Sequence, residues 1–197
     1  MDYRKINRFW QSATLFLAPP ILVLLIWLYP TMNTYQWLLW LHLPLLMLHE
    51  AEEYVLAPTS FKEFFNLKSP MGTKTDSDYP LDEGYVFQVN LMIAWPMVIL
   101  GAILAPVAPW LGFSMIWFEL IINNVMHTIL FQGAKPTYNP GLITNSFLLL
   151  PYGTWTLLTA AIFFTPLDWM LSAVMGVAIS AVLANKTRGR LTRAKAA

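Results

Sequence analysis

The chain contains no cysteine, few charged residues and only three histidines. Without cysteine, disulfides, thiolate zinc sites and iron–sulfur clusters are excluded, so a bound metal would need histidine and oxygen ligands. Charged residues make up 12% of the 197 residues, and the formal net charge is +1. That balance supplies no positive field for nucleic acid, and no groove of aromatic and basic residues is apparent. Nucleic acid is therefore not a predicted partner.

The chain is rich in apolar residues. Hydrophobic residues make up 57% of it, and the mean hydropathy is +0.52. This exceeds what a soluble domain of this size needs for its core. We therefore predict an all-α integral membrane bundle of about six transmembrane helices. The apolar runs are residues 10–29, 34–54, 84–104, 109–131, 142–164 and 166–185.

The basic residues predict the orientation of this bundle. If both termini are cytoplasmic, every Lys and Arg falls on the cytoplasmic side, as the positive-inside rule requires. The basic tail 186–197 is then a topology signal that also suits contact with anionic lipid. We expect a single transmembrane domain over residues 1–197, multi-pass in a bacterial inner membrane, with membrane lipids as its surroundings. The basic residues are at positions 4, 5, 8, 62, 68, 74, 135, 186, 188, 190, 193 and 195.

The second apolar run ends in a cluster of ionisable side chains, His49, Glu52 and Glu53. Burying charge in lipid costs at least about 2.5 to 3.5 kcal/mol per group, so such residues are functional candidates. Their spacing places all three on one helical face. Asn123 and His127 share a face of the fourth run, at the same predicted depth. Two ligands on one turn, completed by a histidine from a neighbouring helix, would make an open metal site.

The sequence resembles the HXXEE family of small integral membrane proteins. The resemblance begins with the His-x-x-Glu-Glu motif at residues 49–53. The Asn-x-x-x-His motif at 123–127 and the Tyr-x-Pro-Gly-x-x-Thr motif at 138–144 resemble later motifs of that family. The resemblance thus covers most of the chain and implies an integral membrane protein, but it does not identify a reaction.

From the residues we predict a metal-dependent membrane enzyme, most simply a hydrolase of a lipid or other amphipathic substrate at the cytoplasmic interface. A divalent ion suits the ligands, and zinc is favoured over iron because hydrolysis needs no redox change. The predicted ligands are His49, Glu53 and His127, with Glu52 as general base on the metal-bound water, Asn123 as ligand orienter and Tyr138 as donor to a developing oxyanion.

The same polar residues allow other interpretations. An iron site would suit a lipid oxidase or desaturase, although three histidines are few for a membrane di-iron enzyme. A metal-free proton-handling site, or polar packing between helices, would use the same residue types. An ion or small-molecule carrier is a further alternative, but the second half of the chain has no counterpart of the His-x-x-Glu-Glu turn.

Two more polar groups are singled out by their depth. His42 lies about 10 Å along the helix from His49, too far to share one ion, and Glu119 lies a similar distance before His127. We therefore predict a mid-membrane polar pair of His42 and Glu119 that relays protons or orients a substrate head.

The entry to the fifth run predicts an anion site. The Tyr-Asn-Pro-Gly sequence at 138–141 breaks the chain before an apolar run and leaves free backbone N–H groups. A helix N-terminus favours phosphate or carboxylate, so Gly141 and Thr144 are candidate anion-binding residues. Making a turn before a helix is the alternative role of this sequence.

The segment 55–83 is predicted to stay in the cytoplasmic interface. Ser60 and Glu63 have the spacing of a capping box and predict a short helix. Its phenylalanines, at 61, 64 and 65, are expected to lie among lipid headgroups. The polar remainder, 68–83, fits a lid over the site as well as an ordinary connecting loop.

Overall fold

Helices form 81% of the protein in a computed structural model, which describes residues 2–134 and 138–196. No strand occurs in these two ranges, which confirms the all-α prediction. Lys135 and the last residue of the basic tail, Ala197, lie outside the described residues. The helices are α1 (Tyr3–Leu28), α2 (Thr34–Ala51, continued by a π-helical turn Glu52–Leu56), the short α3 (Phe61–Leu67), α4 (Glu83–Leu104), α5 (Pro109–Gly133), α6 (142–160) and α7 (Pro166–Ala196).

Four of these helices, α1, α4, α5 and α7, are long and apolar enough to cross a membrane. The chain is therefore a membrane protein, although six spans were predicted and α2 and α6 do not meet the same standard. For α2 the physical reason is its position, because it packs against α1, α4 and α6 and is buried along most of its length. A helix surrounded by protein can carry polar residues that a lipid-facing helix cannot.

Side-chain caps define where several helices begin. Asn33 accepts a hydrogen bond from the backbone N–H of Gln36 at the start of α2, at 2.8 Å. Ser60 caps α3 through the backbone N–H of Glu63, which agrees with the spacing seen in the sequence. Such caps satisfy N–H groups that have no partner within the helix.

The apolar core holds α2 rigidly between α5 and α6. Leu38, Phe113 and Leu149, one from each of these helices, are fully buried in one cluster. Tyr152 extends the contact by donating its hydroxyl to the carbonyl of Leu38 at 3.0 Å. Closer to the ionisable cluster, Leu46 and Met47 of α2 are buried in a second cluster with Met115 of α5.

The helices change from α to π geometry where they carry polar residues. π-helical turns occupy Glu52–Leu56 of α2, Gln88–Ala94 of α4, Glu119–Asn123 and Val125–Leu130 of α5, and Asn145–Leu149 of α6. Such turns are rare in proteins and are frequent at functional sites. Four of these five turns lie in α2, α5 and α6, the elements that meet around His49.

The segment between α2 and α4 folds against the bundle. Asn66 ties it together by donating its side-chain amide to the carbonyls of Ser77 and Leu81, both at 2.8 Å. Phe64 and Phe65 are buried, so the expectation that they lie among lipid headgroups is wrong. They pack with Tyr85 and Phe131, because α4 and α5 supply an aromatic surface that the local pattern of α3 does not reveal.

Candidate metal centre

Three buried side chains converge where α2 meets α5. The Nε2 atoms of His49 and His127 lie 3.6 and 3.5 Å from the same oxygen, Glu53 Oε1. The three ligand atoms lie within 4.8 Å of one another, so this group could hold a metal ion. Zinc bonds of about 2.0 to 2.2 Å place tetrahedral ligand atoms about 3.3 to 3.6 Å apart, which matches the two distances to Glu53 Oε1.

The proton on the His127 ring is placed by Asn139. The ring Nδ1 lies 2.8 Å from Asn139 Oδ1, while the Asn139 amide donates to the backbone carbonyl of His127 at 3.2 Å. A carbonyl accepts and never donates, so the amide nitrogen must face it and Oδ1 must face the ring. Nδ1 of His127 therefore carries a proton, and in the neutral ring the Nε2 lone pair is free.

The proton on His49 is placed by a chain of two hydrogen bonds. The Thr144 hydroxyl donates to Glu52 Oε2 at 2.6 Å and lies 2.9 Å from Nδ1 of His49. Because the single hydroxyl proton goes to the carboxylate, the ring Nδ1 must donate to Thr144 Oγ1. The Nε2 lone pair of His49 is therefore also free, and it points at Glu53.

Two ring lone pairs thus face one carboxylate oxygen in a buried place. Without a positive group between them, three acceptors at these distances repel one another, and buried acceptors without donors are costly. A divalent cation would resolve this conflict, as would a proton shared within the group, and metal-bound histidines characteristically donate their other N–H to a fixed partner. The residues present therefore fit a metal ion with two nitrogen ligands and one oxygen ligand.

Gly141 closes one side of this group. Its backbone is left-handed, with φ of +91°, a conformation that glycine adopts without strain. A Cβ at this position would lie 2.7 Å from Cε1 of His49 and 2.8 Å from Cε1 of His127. Only a residue without a side chain can approach both rings so closely.

The Glu52 carboxylate is held at the start of α6. Oε1 accepts from the Tyr138 hydroxyl at 3.0 Å and from the backbone N–H of Ile143 at 3.1 Å. Oε2 accepts from the backbone N–H and the hydroxyl of Thr144, at 2.7 and 2.6 Å. The prediction of an anion site at Gly141 and Thr144 is corrected accordingly, because the anion at this helix start is the protein's own Glu52.

Tyr138 lies at the rim of the site, in the connection between α5 and α6. Its partial burial and its hydrogen bond to Glu52 raise the pKa of its hydroxyl to about 12. The phenol therefore remains a proton donor across the neutral pH range. In this structure its proton is directed at Glu52, not into open space.

Asn123 is not brought to the three ligand residues. Its amide donates to Glu119 Oε2, within its own helix. Glu119 Oε1 in turn lies 3.5 Å from Nε2 of His42, and both residues are only 1% exposed. The structure thus brings the predicted mid-membrane pair together and adds Asn123 to it.

A family model described as a protein of unknown function with HXXEE motif matches residues 40–156. The chain belongs to the HXXEE family. The matched segment contains all three candidate ligands and the turn that carries Gly141. No curated protein and no solved structure matches the chain.

The residues of the HXXEE motif thus have two different roles. His49 and Glu53 face His127, whereas Glu52 holds the start of α6 against α2 through hydrogen bonds. Asn139, the partner of His127, was not singled out from the sequence. The available signal was its place two residues before Gly141, within a motif resembling one of the family.

Proposed function

We propose that this protein is a metal-dependent integral membrane hydrolase that acts on a lipid or other amphipathic substrate at the cytoplasmic interface. The observation that carries the proposal is the convergence of two ring nitrogens on Glu53 Oε1. A site with three protein ligands leaves a position for water or substrate, as in catalytic zinc sites. Zinc is the proposed ion, because it polarises a carbonyl and activates water without redox chemistry.

The side chains around the ligands have positioning roles in this proposal. Asn139 and Thr144 hold the two rings so that each Nε2 faces Glu53. Glu52, with four donors on its two oxygens, is proposed to orient His49 through Thr144 in place of its predicted role as general base. Tyr138 remains the candidate donor to substrate. Its hydroxyl is at the rim, and it can donate its hydrogen bond to an oxygen of the substrate in place of Glu52.

The function is tested by hydrolysis of long-chain ester and amide substrates, with metal removed and restored. Activity is expected to disappear with chelator and to return with zinc. Glu52→Gln is expected to weaken zinc binding about 10- to 100-fold, the range for a residue that orients a ligand. A general base would instead keep zinc affinity unchanged and lower the rate about 10²- to 10⁴-fold. Full activity in metal-free protein would refute the proposal.

Iron is the second candidate, because two histidines and one carboxylate also form the ligand set of non-haem iron oxygenases. In that case the protein would be a lipid oxidase or desaturase. Elemental analysis of protein purified without added metal separates the two. Iron, together with substrate-dependent oxygen uptake, would favour the oxidase, and zinc with no oxygen uptake would favour the hydrolase.

We further propose that α2 and α6 complete a six-span bundle in a bacterial inner membrane, with both termini cytoplasmic. The one-sided distribution of Lys and Arg supports this topology. Cysteine at Asn33 or Ala108 is expected to react with an impermeant reagent in intact cells. Cysteine at Lys186 is expected to react only after permeabilisation. Labelling at Lys186 in intact cells would contradict the topology.

A further inference from the structure

A cavity of about 390 Å³ lies beside the candidate metal centre. His49 and Glu53 form part of its wall, so the cavity reaches the residues proposed to hold the metal. Most of the remaining wall is apolar, although Glu50 and Glu119 also line it. Its members include Val89, Ile93, Ile122, Met126 and Leu183.

The cavity reaches the side of the bundle. Two of its lining residues on α5, Ile121 and Leu130, are 41% and 42% exposed. Ala184 lines it from α7 and is also exposed. Since α5 and α7 are among the helices apolar enough to span a membrane, this opening would face lipid in a bilayer.

The cytoplasmic end of the cavity is covered. Phe61, Phe65, Met71 and Leu81, all from the segment after α2, line it there. An apolar chain therefore has a direct route from the bilayer, whereas the route from the cytoplasm passes this apolar cover. Water is a poor occupant of an apolar space, and the bilayer supplies only hydrocarbon at that depth.

A second, polar cavity of about 510 Å³ adjoins the first. The two share Tyr54 and Val86 in their walls. Arg4 and Arg8 line the polar cavity. An amphiphile whose chain occupies the apolar cavity therefore has a polar space beside its head.

We propose that the apolar cavity binds one hydrocarbon chain of the substrate, which enters from the bilayer between α5 and α7 and brings the bond next to the chain to His49 and Glu53. The substrate class is then a long-chain acyl amphiphile. One chain is assigned because the cavity volume is at the lower end of ligand pockets, about 300 to 1,000 Å³. The identity of the cleaved bond rests on the proposed function, but chain binding does not.

Chain binding is tested with a photoreactive C16 fatty acid, using purified metal-free protein in detergent. Crosslinks are expected on cavity-lining residues of α5 and α7. Ile122→Trp fills the cavity and is expected to lower crosslinking at least about tenfold, the loss from displacing about two methylene groups. Ile129→Trp is the matched control, because Ile129 is on the same helix, is 61% exposed and does not line the cavity.

The opposite wall supplies an independent pair of variants in case Ile122→Trp fails to fold. Ile93→Trp narrows the cavity from α4, and Met92→Trp changes its exposed neighbour. Equal crosslinking of each cavity variant and its control would overturn the proposal. So would metal-dependent hydrolysis whose preference for long chains is unchanged in the cavity variants, an outcome that leaves the proposed function standing. Specific crosslinking by a protein that binds no metal would refute the function and support the chain site.

Discussion

Zinc added to metal-free protein is expected to bind at about one ion per chain, and His127→Ala is expected to lower the affinity more than 100-fold. Loss of a residue that only orients a ligand typically costs about 10- to 100-fold, so loss of a ligand should cost more. His127 Nε2 is one of two ring nitrogens facing Glu53 Oε1, and the variant removes it. The measurement is zinc competition against a chromogenic chelator.

The third histidine of the chain provides a matched control for this experiment. His42 is as deeply buried as His127, at 1% exposure, but it pairs with Glu119 and is not part of the ligand group. His42→Ala is therefore expected to retain zinc with nearly unchanged affinity. Equal loss of zinc in the two variants, both monodisperse and helical, would contradict the assignment of ligands.

Gly141→Ala is expected to lower zinc affinity at least tenfold, although it replaces none of the three ligand residues. The new methyl group would lie 2.7 and 2.8 Å from ring carbons of His49 and His127, so the rings or the turn must move. The left-handed backbone adds a strain of about 1 to 2 kcal/mol for a residue with a side chain. Zinc affinity and thermal unfolding, measured on the same preparation, record the two effects.

Gly133→Ala separates this crowding from a general effect of alanine. Gly133 is near the end of α5, and a Cβ there would have nothing within 4 Å. In helical backbone, alanine is expected to be neutral or stabilising by up to about 1 kcal/mol. If Gly141→Ala bound zinc as tightly as Gly133→Ala, the turn would not be part of the metal centre.

Helical spacing was enough to bring three residues of the centre together. His49 and Glu53 are one turn apart on α2, and the predicted level of His127 matches the observed contact of the two imidazole rings, 5.3 Å between centroids. Both inferences need only the rise of a helix and the length of a membrane span. No knowledge of loop conformation was required.

Asn123 shows where that spacing fails. A regular helix places it on the face of His127, but α5 has π-helical turns on both sides of Asn124. A π turn adds a residue per hydrogen-bonded ring, so the residues that follow it are rotated relative to a regular helix. Asn123 faces Glu119, four residues before it, instead of the ligand group, and nothing in the sequence marks the π turns.

The roles of Glu52 and Asn139 depended on the path of the turn before α6. Spacing along α2 gives Glu52 the same face as Glu53, but it cannot say which donors approach that face. The donors are the Tyr138 hydroxyl and the first backbone N–H groups of α6. These donors reach Glu52 because the backbone at Gly141 is left-handed. Tertiary contacts determine that conformation.

The long separation between Glu52 and its donors has a consequence for biogenesis. The backbone N–H groups that hold its carboxylate lie 91 and 92 residues further along the chain. During synthesis, α2 therefore leaves the ribosome long before these partners exist, and until then Glu52 lacks the donors that hold its carboxylate in the folded protein. We therefore expect the ionisable end of α2 to be among the last parts of the bundle to reach its final structure.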